Sequence, residues 1–206
     1  SVVTPCYNEE LNVEELYNQV KAVFAELPQY RYEHIFIDNA STDNTVAILK
    51  KLAAADYNVK IIVNIKNFGH IRSPYYGMLK AHGDAVISIV SDLQDPPALI
   101  KEFLQKWEEG KSIVVGVKNQ SEESPLMFAV RKVYYNLLKK VSDTEQIKNF
   151  TGFGLYDQRF IGVLRTLKDP YPYFRGLITE IGFNRAEIPY VQPARKRGKT
   201  SNNFYS

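Results

Sequence analysis

The chain has 206 residues, and its 26 Lys and Arg against 23 Asp and Glu give a formal net charge of +3. This length fits one domain with a sizeable core, and a nearly balanced charge does not indicate nucleic-acid binding. The single cysteine, Cys6, excludes an intrachain disulfide framework, favours a reducing compartment, and is expected to be a small buried residue rather than a nucleophile. No signal peptide is visible, and no apolar run reaches the ~18 residues of a membrane span. Because the sequence begins in mid-strand and ends without a turn signal, we expect it to be a piece of a longer protein.

Strands and helices alternate along the first 118 residues. Apolar runs predict strands at 1–4, 34–37, 59–63, 85–90 and 112–117. Helical spacing of apolar residues predicts helices between them, one capped by Ser41, Thr42 and Asp43, and one over 73–81 with Pro74 in its first turn. This alternation with short links predicts an α/β fold, with a mostly parallel central sheet and helices on both faces.

The pattern changes after residue 118. An amphipathic basic helix is predicted over 127–141, and short helices over 160–167 and 174–181. Residues 151–156 look like a strand or a loop at the sheet edge. The last predicted strand, 186–191, contains Pro189 and is therefore expected at an edge.

Polar residues follow three of the predicted strands, in segments 5–10, 38–43 and 91–95. Ligands of open α/β sheets bind at the carboxyl ends of the strands, so these segments predict a shared cleft. Neither the dinucleotide glycine fingerprint nor a P-loop is present, so a bound pyrophosphate would need a metal or cationic side chains. Asp92 and Gln94 offer oxygen ligands for a divalent cation, although residues 91–97 alone also fit a polar turn with a helix cap.

Seven short motifs together resemble one known family. They are Pro5 to Glu9, Asp38 to Thr45, Asn67 to Gly69, Asp92 to Pro97, Gly152 to Leu155, Arg175 to Leu177, and Arg195 to Thr200. The chain resembles the inverting glycosyltransferases of family 2, and within them the polyprenyl-phosphate branch of dolichol-phosphate mannosyltransferases and bactoprenol glucosyltransferases. This resemblance covers nearly the whole chain. It implies the GT-A nucleotide-diphospho-sugar transferase fold in a single domain, with residues 1–118 on the nucleotide-sugar side and 119–206 on the acceptor side.

The resemblance also implies roles for individual residues. The nucleotide sugar is expected to contact Pro5, Tyr7, Asn8, Glu9, Asp38, Asn67, Ser91 and Asp92. Mg²⁺ or Mn²⁺ is expected on Asp92 and Gln94, whereas Asp95 is expected either to cap the following helix or to contact the acceptor. Catalytic roles are expected for Asp92, Arg195, Lys199 and Arg131, with Arg195 and Lys199 on a C-terminal segment that closes over the donor diphosphate. The family usually carries a first Asp where this chain has Val90, so one carboxylate is missing from the metal motif.

The implied reaction moves a hexose from a nucleotide-diphosphate sugar, UDP rather than GDP, to a polyprenyl phosphate with inversion. Such an acceptor needs no general base, because a phosphate monoester is largely ionised near neutral pH. Two alternatives stay open. One is a family 2 transferase acting on a sugar hydroxyl in cell-surface polysaccharide synthesis. The other is a non-catalytic nucleotide-sugar-binding module, which Val90 would favour.

A lipid-phosphate acceptor implies contact with a membrane surface. The predicted helix 127–141 and the aromatic segment 171–174 are candidate interfacial surfaces. We expect the protein at the cytoplasmic face of a bacterial inner membrane, with this 206-residue piece itself soluble and binding no nucleic acid. A homo-oligomer is left open.

Overall fold

A computed structural model describes residues 1–119, 147–169 and 171–193. The strands are β1 Val2–Cys6, β2 His34–Asp38, β3 Val59–Val63, β4 Ala85–Ser88, β5 Ile113–Lys118, β6 Phe150–Asp157 and β7 Arg185–Tyr190. The helices are α1 Val13–Ala25, α2 Thr45–Ala55, α3 Gly69–Leu79, α4 Ile100–Glu108, α5 Gln158–Leu167 and α6 Phe174–Glu180, with a 3₁₀ turn at Pro97–Leu99. None of the helices in these ranges is both long and apolar enough to cross a bilayer.

The described strands form one seven-stranded sheet in the order β3-β2-β1-β4-β6-β5-β7. Strands β1 to β4 pair in parallel, and β7 pairs in parallel with β5. Only β6, among the strands described, runs against its neighbours, since it is antiparallel to both β4 and β5. The mostly parallel sheet is therefore confirmed, and β7 lies at an edge as its proline predicts.

Helices cover both faces of the sheet, as the strand–helix alternation predicts. On one face Leu16 and Val20 of α1 share a buried cluster with Phe103 of α4. On the other face Met78 of α3 and Phe160 of α5 lie in a second cluster. Helix α3 approaches the sheet closely, because a Cβ at Gly77 would meet side-chain atoms of Ile37 and Val3 at 3.0 Å.

Three element boundaries differ from the sequence expectation. Strand β1 does not end at Pro5 but continues to Cys6, because its ladder with β2 extends to the pair of Cys6 and Asp38. Its pairing with β4 covers only Val2 and Val3. Strand β4 ends at Ser88 rather than at residue 90. Helix α3 begins at Gly69, so Pro74 lies inside it rather than in its first turn. The early start has a local cause, since the Asn67 side chain accepts a 2.8 Å hydrogen bond from the Gly69 amide.

Of the two alternatives left open for residues 151–156, a strand or a loop edge, the strand is confirmed: β6 has eight residues and lies in the interior of the sheet. Its Gly152-to-Leu155 motif is part of the packing. Phe153 and Leu155 are buried, and a Cβ at Gly154 would stand 2.6 Å from the carbonyl oxygen of Val114. The predicted helix 127–141 lies outside the described residues.

Candidate active site

The segments that follow β1 and β2 are joined by hydrogen bonds at the carboxyl edge of the sheet. The Asn8 amide donates to Ser41 Oγ at 2.9 Å, and Asn8 Oδ1 accepts from the Thr42 amide at 2.8 Å. The Glu9 amide donates to Thr45 Oγ1 at 2.8 Å. Ser41 and Thr42 therefore fix the loop after β1, rather than capping α2 as expected.

Asp43 does cap α2, as the sequence predicts, although the N-cap position itself is Asn44. Its Oδ1 accepts from the Thr45 amide at 2.9 Å, and its Oδ2 accepts from the Glu10 amide at 3.1 Å. Burial opposes ionisation of Asp43, but the hydrogen bonds from Thr45 and Glu10 outweigh it and lower the pKa of this carboxyl. The residue is a structural anion.

Each of the three polar segments contains one non-glycine residue in the left-handed region. These are Asn8 with φ 56°, Ala40 with φ 64° and Leu93 with φ 60°. Alanine and leucine rarely adopt this conformation, which costs of order 1–3 kcal/mol and persists only where the surroundings hold it. Such turns concentrate at ligand sites, so the backbone supports the cleft that the sequence predicts at this edge.

Asp38 is fully buried at the end of β2. Its Oδ2 accepts from the Ser41 amide at 3.0 Å, which is the turn-forming role expected of an Asx residue. Its Oδ1 is buried and has no hydrogen-bond partner among the residues described. An unsatisfied buried acceptor costs ~1–3 kcal/mol, so a donor group from a ligand would stabilise this site.

Asn39 connects the end of β2 to the loop after β3, a role that sequence reasoning missed. Its Nδ2 donates to Asn67 Oδ1 at 2.8 Å, and its Oδ1 accepts from the Phe68 amide at 2.9 Å and from Asn64 Nδ2 at 3.3 Å. The sequence offers one signal for this network. Asn39 is the first residue after β2, and Asn64 is the first residue after β3. Because these strands are parallel, both asparagines lie at the same edge of the sheet. The network holds the exposed Asn67 against Asn39, the residue that follows Asp38.

Asp92 and Gln94 belong to a single turn after β4. The Gln94 amide donates to Asp92 Oδ1 at 3.1 Å, and Gln94 Nε2 donates to the carbonyl oxygen of Pro193 at 3.4 Å. This orientation leaves the Gln94 amide oxygen as an acceptor next to the carboxylate. Within the described ranges, no group of three His, Cys, Asp or Glu side chains could hold a metal. The donor set thus fits Mg²⁺ or Mn²⁺ only if phosphate and water supply the other oxygens.

Asp95 is buried, with 1% of its surface exposed, and does not cap the following helix as one reading of the sequence expected. Its Oδ1 accepts a 2.7 Å hydrogen bond from the Tyr190 hydroxyl. Burial raises the pKa of Asp95 to about 6 despite that bond, and the nearby Asp92 charge adds to the rise. Burial and the Asp95 charge also raise the pKa of Tyr190. So deep a carboxyl is poorly placed to contact an acceptor.

The remaining predicted donor-side residues surround these turns. Tyr7 is 43% exposed, which leaves its ring accessible, whereas Pro5 is half-buried in β1. The Glu9 carboxylate accepts from Asn12 Nδ2 at 2.6 Å, so part of its hydrogen-bonding capacity is used at the start of α1. Ser91 is buried beside the Cys6 thiol, and this contact joins the ends of β4 and β1.

Cys6 is a buried residue and not a nucleophile, as the sequence predicts. It is 2% exposed, and burial raises the pKa of its thiol well above the ordinary value, with the charges of Asp38 and Glu9 acting in the same direction. Three predicted catalytic residues, Arg131, Arg195 and Lys199, lie outside the described residues. Their roles stay predictions.

A parallel sheet with polar turns at its carboxyl edge defines a class of ligand-binding α/β proteins, and sequence comparison identifies the family. The profile of Glycosyl transferase family 2 matches residues 1–161, so the chain belongs to this family. The family resemblance of the motifs is confirmed.

Two relatives show the extent of the similarity. The uncharacterized glycosyltransferase YkcC of Bacillus subtilis (strain 168) is 35% identical over 201 residues, which cover 97% of this chain and 62% of the relative. The bactoprenol glucosyl transferase of Shigella phage SfV is 30% identical over 199 residues, which cover 96% of this chain and 64% of that protein. The chain thus spans less than two thirds of the length of these relatives.

A solved structure supports the fold. The mannosyltransferase PcManGT from Pyrobaculum calidifontis, in complex with GDP-Man and Mn²⁺, superposes with a TM-score of 0.63 at 18% identity. The match covers 96% of this chain and 57% of the mannosyltransferase. The predicted GT-A fold is confirmed.

Proposed function

We propose that this chain transfers a hexose from a nucleotide-diphosphate sugar, UDP rather than GDP, to a polyprenyl phosphate with inversion at the anomeric carbon. The observation that carries the proposal is buried Asp38, in a turn that hydrogen bonds tie to the turn after β1, with its Oδ1 lacking a hydrogen-bond partner among the described residues. Such a site suits the hydrogen-bond donors of a nucleotide base. The choice of acceptor is supported by a relative named bactoprenol glucosyl transferase at 30% identity.

The donor would lie across the carboxyl ends of β1, β2 and β4. Asp38 Oδ1 would accept from the base, and the exposed Tyr7 ring would line the base or ribose. The other residues placed along the donor are Pro5, Asn8, Glu9, Asn67, Ser91 and Asp92. Asn8 and Glu9 would contribute partly through the loop after β1, because their amides already donate to Ser41 Oγ and to Thr45 Oγ1.

Asp92 and the Gln94 amide oxygen would hold Mg²⁺ or Mn²⁺. A bound cation there supplies neutralisation of the donor diphosphate. With Val90 in place of a second acid, this chain contributes few ligands, so the diphosphate oxygens must complete the coordination. The role of the turn is to present the Asp92 carboxylate at a fixed distance from the strand end.

The acceptor phosphate carries its own nucleophilic oxygen. That oxygen attacks the anomeric carbon opposite the diphosphate, the bond from this carbon to the diphosphate oxygen breaks, and the nucleoside diphosphate leaves with the electron pair. Two anions must approach each other, so cationic side chains are needed on the acceptor side. Arg195, Lys199 and Arg131 are proposed for this task. The Gln94 contact with Pro193 supports the first two, since Arg195 follows Pro193 by two residues.

A lipid-linked acceptor stays in its bilayer, so we place the protein at the cytoplasmic face of a membrane. A reducing compartment agrees with the lone buried Cys6. One second function is motivated by Val90: a module that binds a nucleotide sugar without transferring it.

The test is a donor panel with undecaprenyl phosphate. The chain is incubated with UDP-glucose, UDP-N-acetylglucosamine or GDP-mannose, in Mn²⁺, in Mg²⁺ or with a chelator. Formation of a lipid-linked hexose with a UDP-sugar, lost on chelation, is expected. Transfer only to sugar hydroxyls would favour the polysaccharide alternative. Donor binding with no turnover on any acceptor would favour the binding module.

A further inference from the structure

A cluster of cations and aromatic rings lies at the start of α3. The Arg72 guanidinium stands 5.5 Å from the centroid of the Phe68 ring and 4.9 Å from that of Tyr171, and it donates to the Tyr171 hydroxyl at 3.5 Å. The ammonium of Lys66 lies 5.3 Å from the Phe68 ring centroid. These four residues join the loop after β3 to the loop before α6, and we call them the cation–aromatic patch.

The surroundings of the cation–aromatic patch are apolar and open to solvent. Tyr171 is 71% exposed, Tyr173 55%, Ile71 47% and Ile65 94%. Isolated exposed apolar residues are common, but four of them in the loop after β3, the first turn of α3 and the loop before α6 form a surface that needs a reason. A ring contact of 6.4 Å between Tyr75 of α3 and Phe174 of α6 holds the two loops side by side.

The charge of this surface is positive. Lys66 and Arg72 lie over its rings, and residues 65–72 contain no acid. The Asp169 carboxylate is engaged locally, since its Oδ1 accepts from the Tyr171 amide at 2.8 Å. Two cations held over exposed aromatic rings fit an anionic partner that also has an apolar interior.

The cation–aromatic patch adjoins the candidate active site. The Phe68 amide donates to Asn39 Oδ1 at 2.9 Å, and Asn39 directly follows Asp38. A surface bound through this patch would therefore lie next to the rim of the cleft. That placement is what an enzyme needs if its acceptor cannot leave a bilayer.

We infer that the cation–aromatic patch docks on the anionic headgroup surface of a lipid bilayer. Tyr171, Tyr173 and Phe68 place amphipathic rings at headgroup depth, and Lys66 and Arg72 meet lipid phosphates. Stacking on Phe68 and Tyr171 holds the Arg72 guanidinium in place before binding. The inference rests on the proposed function for the orientation of the cleft, whereas lipid binding itself can be measured without donor or acceptor.

The experiment is co-sedimentation of the 206-residue chain with phosphatidylglycerol vesicles and with phosphatidylcholine vesicles at low salt. We expect binding to the anionic vesicles only. The double variant Arg72→Glu with Tyr171→Ser should lower the partition coefficient about thirtyfold, which corresponds to about 2 kcal/mol. Arg72→Gln, which keeps a donor for the Tyr171 hydroxyl, should lower it about fivefold and guards against misfolding of the double variant.

The matched control is Lys51→Glu with Tyr57→Ser, which removes an exposed cation and a 95% exposed ring elsewhere on the chain. It should bind vesicles as the unchanged chain does. An equal loss in the control would mean general attraction of a basic chain and would overturn the inference. The inference would also be overturned if the unchanged chain did not bind the vesicles. It would be overturned as well if the unchanged chain self-associated and the Arg72→Glu, Tyr171→Ser variant did not. UDP binding measured in solution reports on the cleft separately, so lipid binding and transfer can fail independently.

Discussion

The Tyr190 hydroxyl donates a 2.7 Å hydrogen bond to Oδ1 of Asp95, across 95 positions of the chain. Tyr190 ends β7 at one edge of the sheet, and Asp95 follows the Asp92–Gln94 turn. Both residues are buried, at 5% and 1% exposure. This bond therefore ties the Asp92–Gln94 turn, which is proposed to hold the metal, to the end of edge strand β7. Gln94 adds a second link through the carbonyl oxygen of Pro193.

Asp95→Asn is expected to stabilise the fold at neutral pH. Burial raises the folded-state pKa of Asp95 from 3.8 to about 6. The protonated form is thus favoured in the fold, and its contribution to stability is complete below pH ~4 and is lost as the pH rises through about 6. The ionised carboxylate costs roughly 3 kcal/mol at most, and asparagine removes that charge while keeping an oxygen for Tyr190.

Urea unfolding with a chelator present measures this effect. At about pH 7.5 the variant should be about 1–3 kcal/mol more stable than the unchanged chain, and near pH 4 the gain should vanish. Asp84→Asn, at an exposed position before β4, is the control and should change little at either pH. A gain of equal size at both pH values would contradict a charge effect at Asp95.

Much of the site follows from local sequence pattern. Apolar runs ended by polar segments 5–10, 38–43 and 91–95 place three turns at one sheet edge, because parallel strands end on the same side. The structure joins the first two segments through Asn8 and Ser41. Patterning is sufficient here, since each strand and its turn are continuous in the chain.

The errors come from contacts between distant parts of the chain. Strand β6 contains Gly152 and Gly154, which argue locally for a loop, yet it lies between β4 and β5 because Phe153 and Leu155 are buried there. Asp95 was expected to cap a helix or touch the acceptor, but its partner Tyr190 is 95 positions away. No local sequence pattern predicts the pairing of β6 with β4 and β5 or the bond between Asp95 and Tyr190.

Asn39→Ala should loosen the loop after β3. The Phe68 amide would lose its acceptor, and Asn67 Oδ1 would lose one of its two donors and keep the Gly69 amide, so the free energy of unfolding should fall by about 1–3 kcal/mol. Asn39→Asp keeps an acceptor for the Phe68 amide and should lose less. Hydrogen exchange at this amide is the direct measurement, with faster exchange in the alanine variant. Asn18→Ala, at an exposed position of α1, is the control. Unchanged exchange in Asn39→Ala would refute the positioning role.

Asp92→Asn should abolish most transfer while leaving the fold intact. The amide oxygen still accepts from Gln94, so the turn survives, and stability should change by less than about 0.5 kcal/mol. Loss of the carboxylate charge at the diphosphate should lower kcat by about a hundredfold or more. Transfer is assayed at saturating UDP-sugar over a range of Mn²⁺, with Asp84→Asn as the charge-matched control. A variant with the original rate would remove Asp92 from the metal site.

Arg195→Ala tests the cationic segment that follows Pro193. If Arg195 contacts the phosphates during transfer, its loss should lower kcat/KM by about a hundredfold, the typical cost of removing one charged hydrogen bond from a transition state. Lys199→Ala should act in the same direction. Arg31→Ala removes an exposed cation immediately before β2, at the opposite edge of the sheet, and should leave the kinetics unchanged. Thermal unfolding of all three variants is measured beside the kinetics, so that a loss of transfer is separated from a loss of the fold. Unchanged kinetics of Arg195→Ala with undecaprenyl phosphate would exclude a phosphate role, whereas an equal loss in Arg31→Ala would point to general charge attraction of the anionic substrates.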